Sequence, residues 1–136
     1  TVSYEVKLEH QNHTWSGGID GAAYETNWGV FYTSRSLLVM NGKEWHDITV
    51  DFIIPSDWKV TTSWQGVKGK KNSFKVNNQL ELSKSLLFAG THEEISLKRD
   101  DFELVITLGG KEVIADKEYY KNMASGVLDY YIELGN

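Results

Sequence analysis

A chain of 136 residues is long enough to bury roughly two-thirds of the surface its unfolded form exposes, so one domain of this size needs no staple, and there is no cysteine to supply one. The lack of cysteine excludes disulfides and thiolate zinc sites and leaves the redox compartment open, with export the favoured side. A formal charge of −5, from 14 Lys and Arg scattered among 19 Asp and Glu, argues against a nucleic-acid surface, which needs a basic stripe; nor does any apolar run approach the ~18 residues of a membrane span.

The chain opens on Thr rather than Met and shows no leader, which predicts a processed protein or an excised piece with a neighbour missing. Val2, Tyr4, Val6 and Leu8 then alternate with Ser3, Glu5 and Lys7, the pattern of a strand. Residues 10 to 27 hold Gly17-Gly18, Gly21 and several Asn, Ser and Thr without periodicity, and read as a long loop. His10 and His13 start that loop, but no acidic residue or cysteine nearby completes a metal set, so they read as exposed polar residues.

Two apolar runs, Trp28 to Tyr32 and Ser36 to Met40, suit strands buried on both faces, with the polar turn Thr33-Ser34-Arg35 between them and Asn41-Gly42 marking a tight turn after them. The stretch from Asp47 to Trp64 organises the rest. Ile48, Val50, Phe52 and Ile54 occupy one face of an alternating strand that stops at Pro55, the sole proline, which cannot donate to a ladder. A second alternation places Trp58, Val60, Thr62 and Trp64 on one side, so the whole reads as a long hairpin or a corner. Val67 to Lys71 is a basic tip, and short strands follow around Phe74 to Val76, Leu86 to Ala89, Glu94 to Leu97 and Phe102 to Leu108. Gly109-Gly110 turns the chain into a further strand at Lys111 to Ala115.

From Asp116, a natural N-cap, the period changes: Tyr119, Tyr120, Met123, Ala124, Val127, Leu128, Tyr131 and Ile132 recur at helical spacing up to Gly135, which suits a C-cap. The stripe is wide enough to touch two surfaces, and the face left over, with its tyrosines, Met123 and Ile132, predicts a homodimer through this helix when nothing else covers it. The fold class is therefore mainly β: an antiparallel β-sandwich, with no helix between strands to support parallel crossovers, plus one C-terminal amphipathic helix.

Catalytic chemistry is sparse. Thr91-His92-Glu93-Glu94 resembles the start of a His-Glu-x-x-His zinc motif, but position 96 is serine and the surrounding alternation is that of a strand. No Gly-x-Ser-x-Gly elbow and no phosphate-binding glycine loop occur. No residue is assigned to catalysis or to metal or cofactor binding. Trp15 and Trp45, in polar surroundings, are the candidates for a ligand-facing or substrate-facing role, whereas Trp58, Trp64, Phe74 and the helix tyrosines fall on apolar faces that predict core packing.

From Trp28 onward, WGVFY, SLLVM, the strand ending Ile54-Pro55-Ser56-Asp57-Trp58, the segment Leu82 to Gly90, FELVITLGG and the terminal helix ending Leu134-Gly135 together resemble the N-terminal part of the glycyl aminopeptidase family of thermolysin-like zinc peptidases. Leu82 to Gly90 lacks the proline of the family's pattern, and the family's upstream Pro-x-Trp-x-Pro-Gly segment is absent or replaced by the glycine-rich loop. The resemblance implies a β-sandwich accessory domain over 1–108. Residues 109–136 would then be a strand and helix leading into a catalytic domain downstream, where the zinc-binding helix of the family lies. It further implies a non-catalytic role, shaping the substrate cleft of that domain, with the zinc held there. The alternative is a free-standing carbohydrate- or ligand-binding sandwich.

Overall fold

The structure is a computed structural model that describes residues 1–6, 23–40 and 44–135. The chain folds as two compact units, Thr1–Gly90 and Thr91–Asn136. The first holds strands β1 (Ala23–Thr26), β2 (Gly29–Thr33), β3 (His46–Asp51), β4 (Lys59–Thr62), β5 (Gln65–Gly66), β6 (Ser73–Asn78) and β7 (Leu86–Gly90), with short helices α1 (Ser34–Leu37) and α2 (Gln79–Lys84). The second holds β8 (His92–Arg99), β9 (Phe102–Gly109), α3 (Lys111–Ala115) and α4 (Lys117–Gly135).

In the first unit the order β1-β2-β7-β4 forms a four-stranded sheet and β3-β6-β5 a three-stranded one, and every pairing is antiparallel. The register explains the core. Tyr32 lies opposite Leu87 and Val30 opposite Ala89, with Val60 opposite Ala89 on the other side; in the second sheet Ile48 faces Val76 and Val50 faces Phe74. These cross-strand pairs from both sheets meet in one apolar cluster with Trp64 and Leu82, which is the sandwich interior.

The stretch 47–64 is a corner. Its first alternation belongs to the three-stranded sheet and its second to the four-stranded one, and Trp58 N–H donates to Pro55 O (3.0 Å) in the turn where the chain changes sheets. The alternation is real: Ile48, Val50, Phe52 and Ile54 pack on the core, whereas Ile53 is fully exposed.

Several expected elements differ. Residues 1–6 form no strand; they are exposed and tied down at Tyr4, whose hydroxyl donates to Leu37 O (2.5 Å) and accepts from Val39 N–H (3.1 Å). Residues 23–26, read as loop, form β1. The run Ser36 to Met40 starts inside a one-turn helix, α1, and continues without regular structure in place of a strand, and Lys111–Ala115 is helical too, entered through Gly110 at φ +83°. Gly135 is the last residue of α4 and not its cap. Helix α2 had no counterpart in the sequence reading. Its start is held by Asn78, whose side chain accepts from Glu81 N–H (2.9 Å), while the Glu81 carboxylate accepts from Asn77 N–H (3.1 Å). The turn expected at Asn41-Gly42 lies outside the described residues.

In the second unit β8 and β9 pair as a separate hairpin, with Ile95 opposite Ile106 and Leu97 opposite Leu104. These side chains, with Ala124, Leu128 and Ile132 of α4, form a second apolar cluster. Ion pairs hold the helix along the hairpin: Lys117 to Glu93 (3.4 Å) near one end and Arg99 to Asp129 (2.8 Å) further along, with Arg99 also donating to Ser125 Oγ (2.9 Å).

One titration marks the core of the first unit. Burial pushes the Tyr32 phenol up from 10.0 to about 12, and the neighbouring Tyr4 adds to the shift. The unfolded chain ionises this tyrosine first, so its contribution is fully present below pH 10 and is lost as pH rises from 10.0 to about 12. The denaturation midpoint of the first unit is expected to fall across that window, and to fall less steeply in Tyr32→Phe; an identical alkaline profile for the two proteins would refute the assignment.

Candidate functional site

His92, Glu93 and Glu94 lie on β8, where successive side chains point to opposite faces. A zinc pair at helical i, i+4 spacing cannot form on such a strand. His92 is buried, and its Nε2 stands 3.6 Å from Glu94 Oε1 on its own face of the hairpin. Among the described residues no three His, Cys, Asp or Glu side chains converge on a point that could hold a metal ion.

Of the two tryptophans singled out from sequence, Trp15 lies outside the described residues, as do His10 and His13. Trp45 is 53% exposed, just before β3, and its carbonyl accepts from Gln79 N–H (3.1 Å) at the start of α2. A fixed backbone thus presents an exposed indole, an apolar body with a polar edge suited to stacking on a ligand. The tryptophans assigned to the core behave as expected: Trp64 is buried, and Trp58 and Phe74 pack against the sandwich interior. The helix tyrosines do not. Tyr119, Tyr130 and Tyr131 are exposed, because only one side of α4 meets the hairpin.

The structure also assembles an aromatic feature invisible in the linear sequence. On the outer face of the four-stranded sheet, Tyr24 lies opposite Phe31 and Phe31 opposite Phe88. Trp28 stacks on Phe88, with ring centroids 5.7 Å apart and planes 18° from parallel. The run Trp28 to Tyr32 reads as buried on both faces, and only the register of β1 and β7 sets these rings side by side, Tyr24 exposed and Phe88 buried.

Charged groups at the surface are ordinary ones. The outward face of the hairpin carries Ser96, whose hydroxyl donates to Glu103 (2.5 Å); that bond, with Lys98 nearby, holds the Glu103 carboxyl below its usual range. In the basic tip Lys68, Lys70 and Lys71 are exposed, with Lys71 Nζ donating to Ser56 O (3.3 Å) across the corner. Among the described residues no helix is long and apolar enough to cross a membrane.

The first unit is a two-sheet antiparallel sandwich, and among the described residues no cluster of three His, Asp or Glu could hold a metal ion. Residues 1–90 match the Peptidase M61 N-terminal domain family, and the chain belongs to that family. The match coincides with the first compact unit, Thr1–Gly90. No curated protein and no solved structure matches the chain.

Proposed function

We propose that this chain is the non-catalytic N-terminal accessory portion of a zinc aminopeptidase, in which the sandwich flanks the active site of a downstream catalytic domain and shapes its substrate cleft. The observation that carries the reading is the family match over the whole sandwich unit, residues 1–90. The zinc belongs to the catalytic domain, since the described residues here offer no converging ligand set. In this reading Trp45, with Trp15, is the side chain that meets substrate, and the exposure of the Trp45 indole supports it.

The chain alone is expected to release no amino acid from Gly- or Ala-peptides, with or without added zinc. In the complete peptidase, Trp45→Ala is expected to raise KM severalfold and leave kcat nearly unchanged, the signature of lost uniform binding. Zinc-dependent release by the 136-residue chain, abolished by His92→Ala, would overturn the non-catalytic reading.

A second reading, a free-standing ligand-binding sandwich, draws on the exposed Trp45 and on the exposed Tyr24 opposite Phe31. Affinity electrophoresis in polysaccharide gels separates the two readings. Retardation of the wild type that is lost in Trp45→Ala favours the binding module, and unretarded migration favours the accessory domain.

A further inference from the structure

Backbone hydrogen bonds fix which way each residue of β3 faces. Phe52 N–H donates to Asn72 O (2.9 Å), and on the other side of β6 Val67 N–H donates to Ser73 O (2.8 Å). Backbone groups alternate sides along a strand, so Ile48, Val50 and Phe52 bond towards β6, and the N–H and C=O of Thr49, Asp51 and Ile53 face away from it. Strand β3 closes one end of the order β3-β6-β5, and among the described residues no strand pairs with its far side. It is also the longest edge strand of the first unit, with 6 residues against 4 in β1, 4 in β4 and 2 in β5. Asp47, at φ +53°, interrupts the pattern before it, and Pro55 stops it afterwards, so the open edge is the stretch 49–53.

The side chains along this edge select what can lie there. Thr49, Asp51 and Ile53 share the outer face and are all exposed, Ile53 fully. Among the described residues Asp51 belongs to no ion pair, although Lys75 lies diagonal to it, opposite Thr49. A carboxylate on an edge strand repels strands of like charge. Antiparallel pairing with a second copy, centred on Thr49 or on Asp51, would set Asp51 against Asp47 or against itself. A strand with a basic side chain at that point meets the opposite charge, and an apolar side chain two residues along its same face meets Ile53.

From these we infer that the open edge of β3 is a peptide-docking site. An extended segment adds antiparallel to residues 49–53 through main-chain hydrogen bonds to Thr49, Asp51 and Ile53, with a basic side chain opposite Asp51 and an apolar one opposite Ile53. The inference goes beyond the accessory-domain reading and is tested on the chain by itself; under that reading the docked segment is part of the peptidase's substrate.

Nuclear magnetic resonance titration of the 136-residue chain with the N-acetylated peptide Val-Thr-Lys-Thr-Thr, and with its counterpart carrying Glu in place of Lys, tests it. The amide signals of Thr49, Asp51 and Ile53 are expected to shift, with the lysine peptide binding about fivefold more tightly than the glutamate peptide. Asp51→Lys is expected to reverse that preference. Thr49→Pro, which removes an edge N–H but no ladder bond, is expected to abolish the shifts with both peptides. Should Thr49→Pro unfold the chain, the reversal in Asp51→Lys decides alone. Shifts confined to other surfaces, no shifts at all, or an unchanged preference in Asp51→Lys would overturn the inference. So would shifts at these amides that grow with protein concentration in the absence of peptide, since the occupant would then be a second copy. Docking at this edge by a protein whose complete form cleaves no peptide would leave this inference standing and sink the peptidase reading alone.

Discussion

Gly90→Ala is expected to cost the sandwich on the order of 3–5 kcal/mol, a large share of the roughly 5–15 kcal/mol that holds an ordinary domain. A Cβ at Gly90 would stand 2.4 Å from Trp28 O and 2.6 Å from Gly29 Cα. Both are backbone atoms of the neighbouring strand and its entry turn, so no rotamer change relieves the clash and the β2–β7 ladder must part. Gly29→Ala meets backbone too, Ala89 O at 2.9 Å, besides the Phe88 ring at 3.0 Å, and should fall below Gly90→Ala in cost because its backbone clash is milder than those at 2.4 and 2.6 Å. Gly66 has nothing within 4 Å of its would-be Cβ, and Gly66→Ala should change stability by less than about 1 kcal/mol. Urea titration followed by tryptophan fluorescence ranks the three. A Gly90→Ala midpoint equal to that of the wild type would show that the two strands do not approach as described.

The second large effect lies in a buried polar knot that ties both helices of the first unit to its core. Trp64 Nε1–H donates to Ser85 Oγ (2.6 Å), and Ser85 Oγ–H donates to Glu81 O (2.7 Å). Ser34, fully buried, donates its N–H to Ser85 O (2.9 Å) and shares its single hydroxyl hydrogen between Leu82 O and Ser85 O. Ser85→Ala strands the indole N–H in an apolar interior, at a cost of about 1–3 kcal/mol. Trp64→Ala removes the ring and should cost about 3–5 kcal/mol. The discriminating comparison is the cycle of Ser85→Ala with Trp64→Phe. Once phenylalanine has removed the donor, Ser85→Ala strands nothing, so the double variant should be more stable than the sum of the singles predicts, by about 1 kcal/mol or more. Strict additivity would mean that the indole finds another partner.

Much of this arrangement could be read from residues alone, and the failures have local causes. The alternations of 48–54 and 58–64 placed eight inward positions correctly because each strand has one buried face, where a slip of one residue would expose the whole set. The run Ser36 to Met40 misled because a short apolar run fits a buried strand and a buried helical turn equally well. Residues 1–6 alternate, yet they stay exposed, held at Tyr4 by side-chain bonds that no periodicity encodes. Helix α2 has a legible start, since Asn78 followed three residues later by Glu81 is a helix-start signal, but its six residues are too few to show a helical period. The exposure of Trp45 was legible from its polar neighbours. The row Tyr24, Phe31 and Phe88 was not, since it joins residues 64 positions apart (88 − 24) through strand register.

The strand order also dictates when the domain can first exist during synthesis. In each sheet of the first unit an interior strand is the last to be made: β6 lies between β3 and β5, and β7 between β2 and β4. A nascent chain that has emerged only as far as residue 72 therefore owns the rims of two sheets and the centre of neither, apart from the small β1–β2 ladder. Its open edges find partners only as β6 and then β7 emerge. The sandwich is complete only with β7, which ends at Gly90, where the first unit ends.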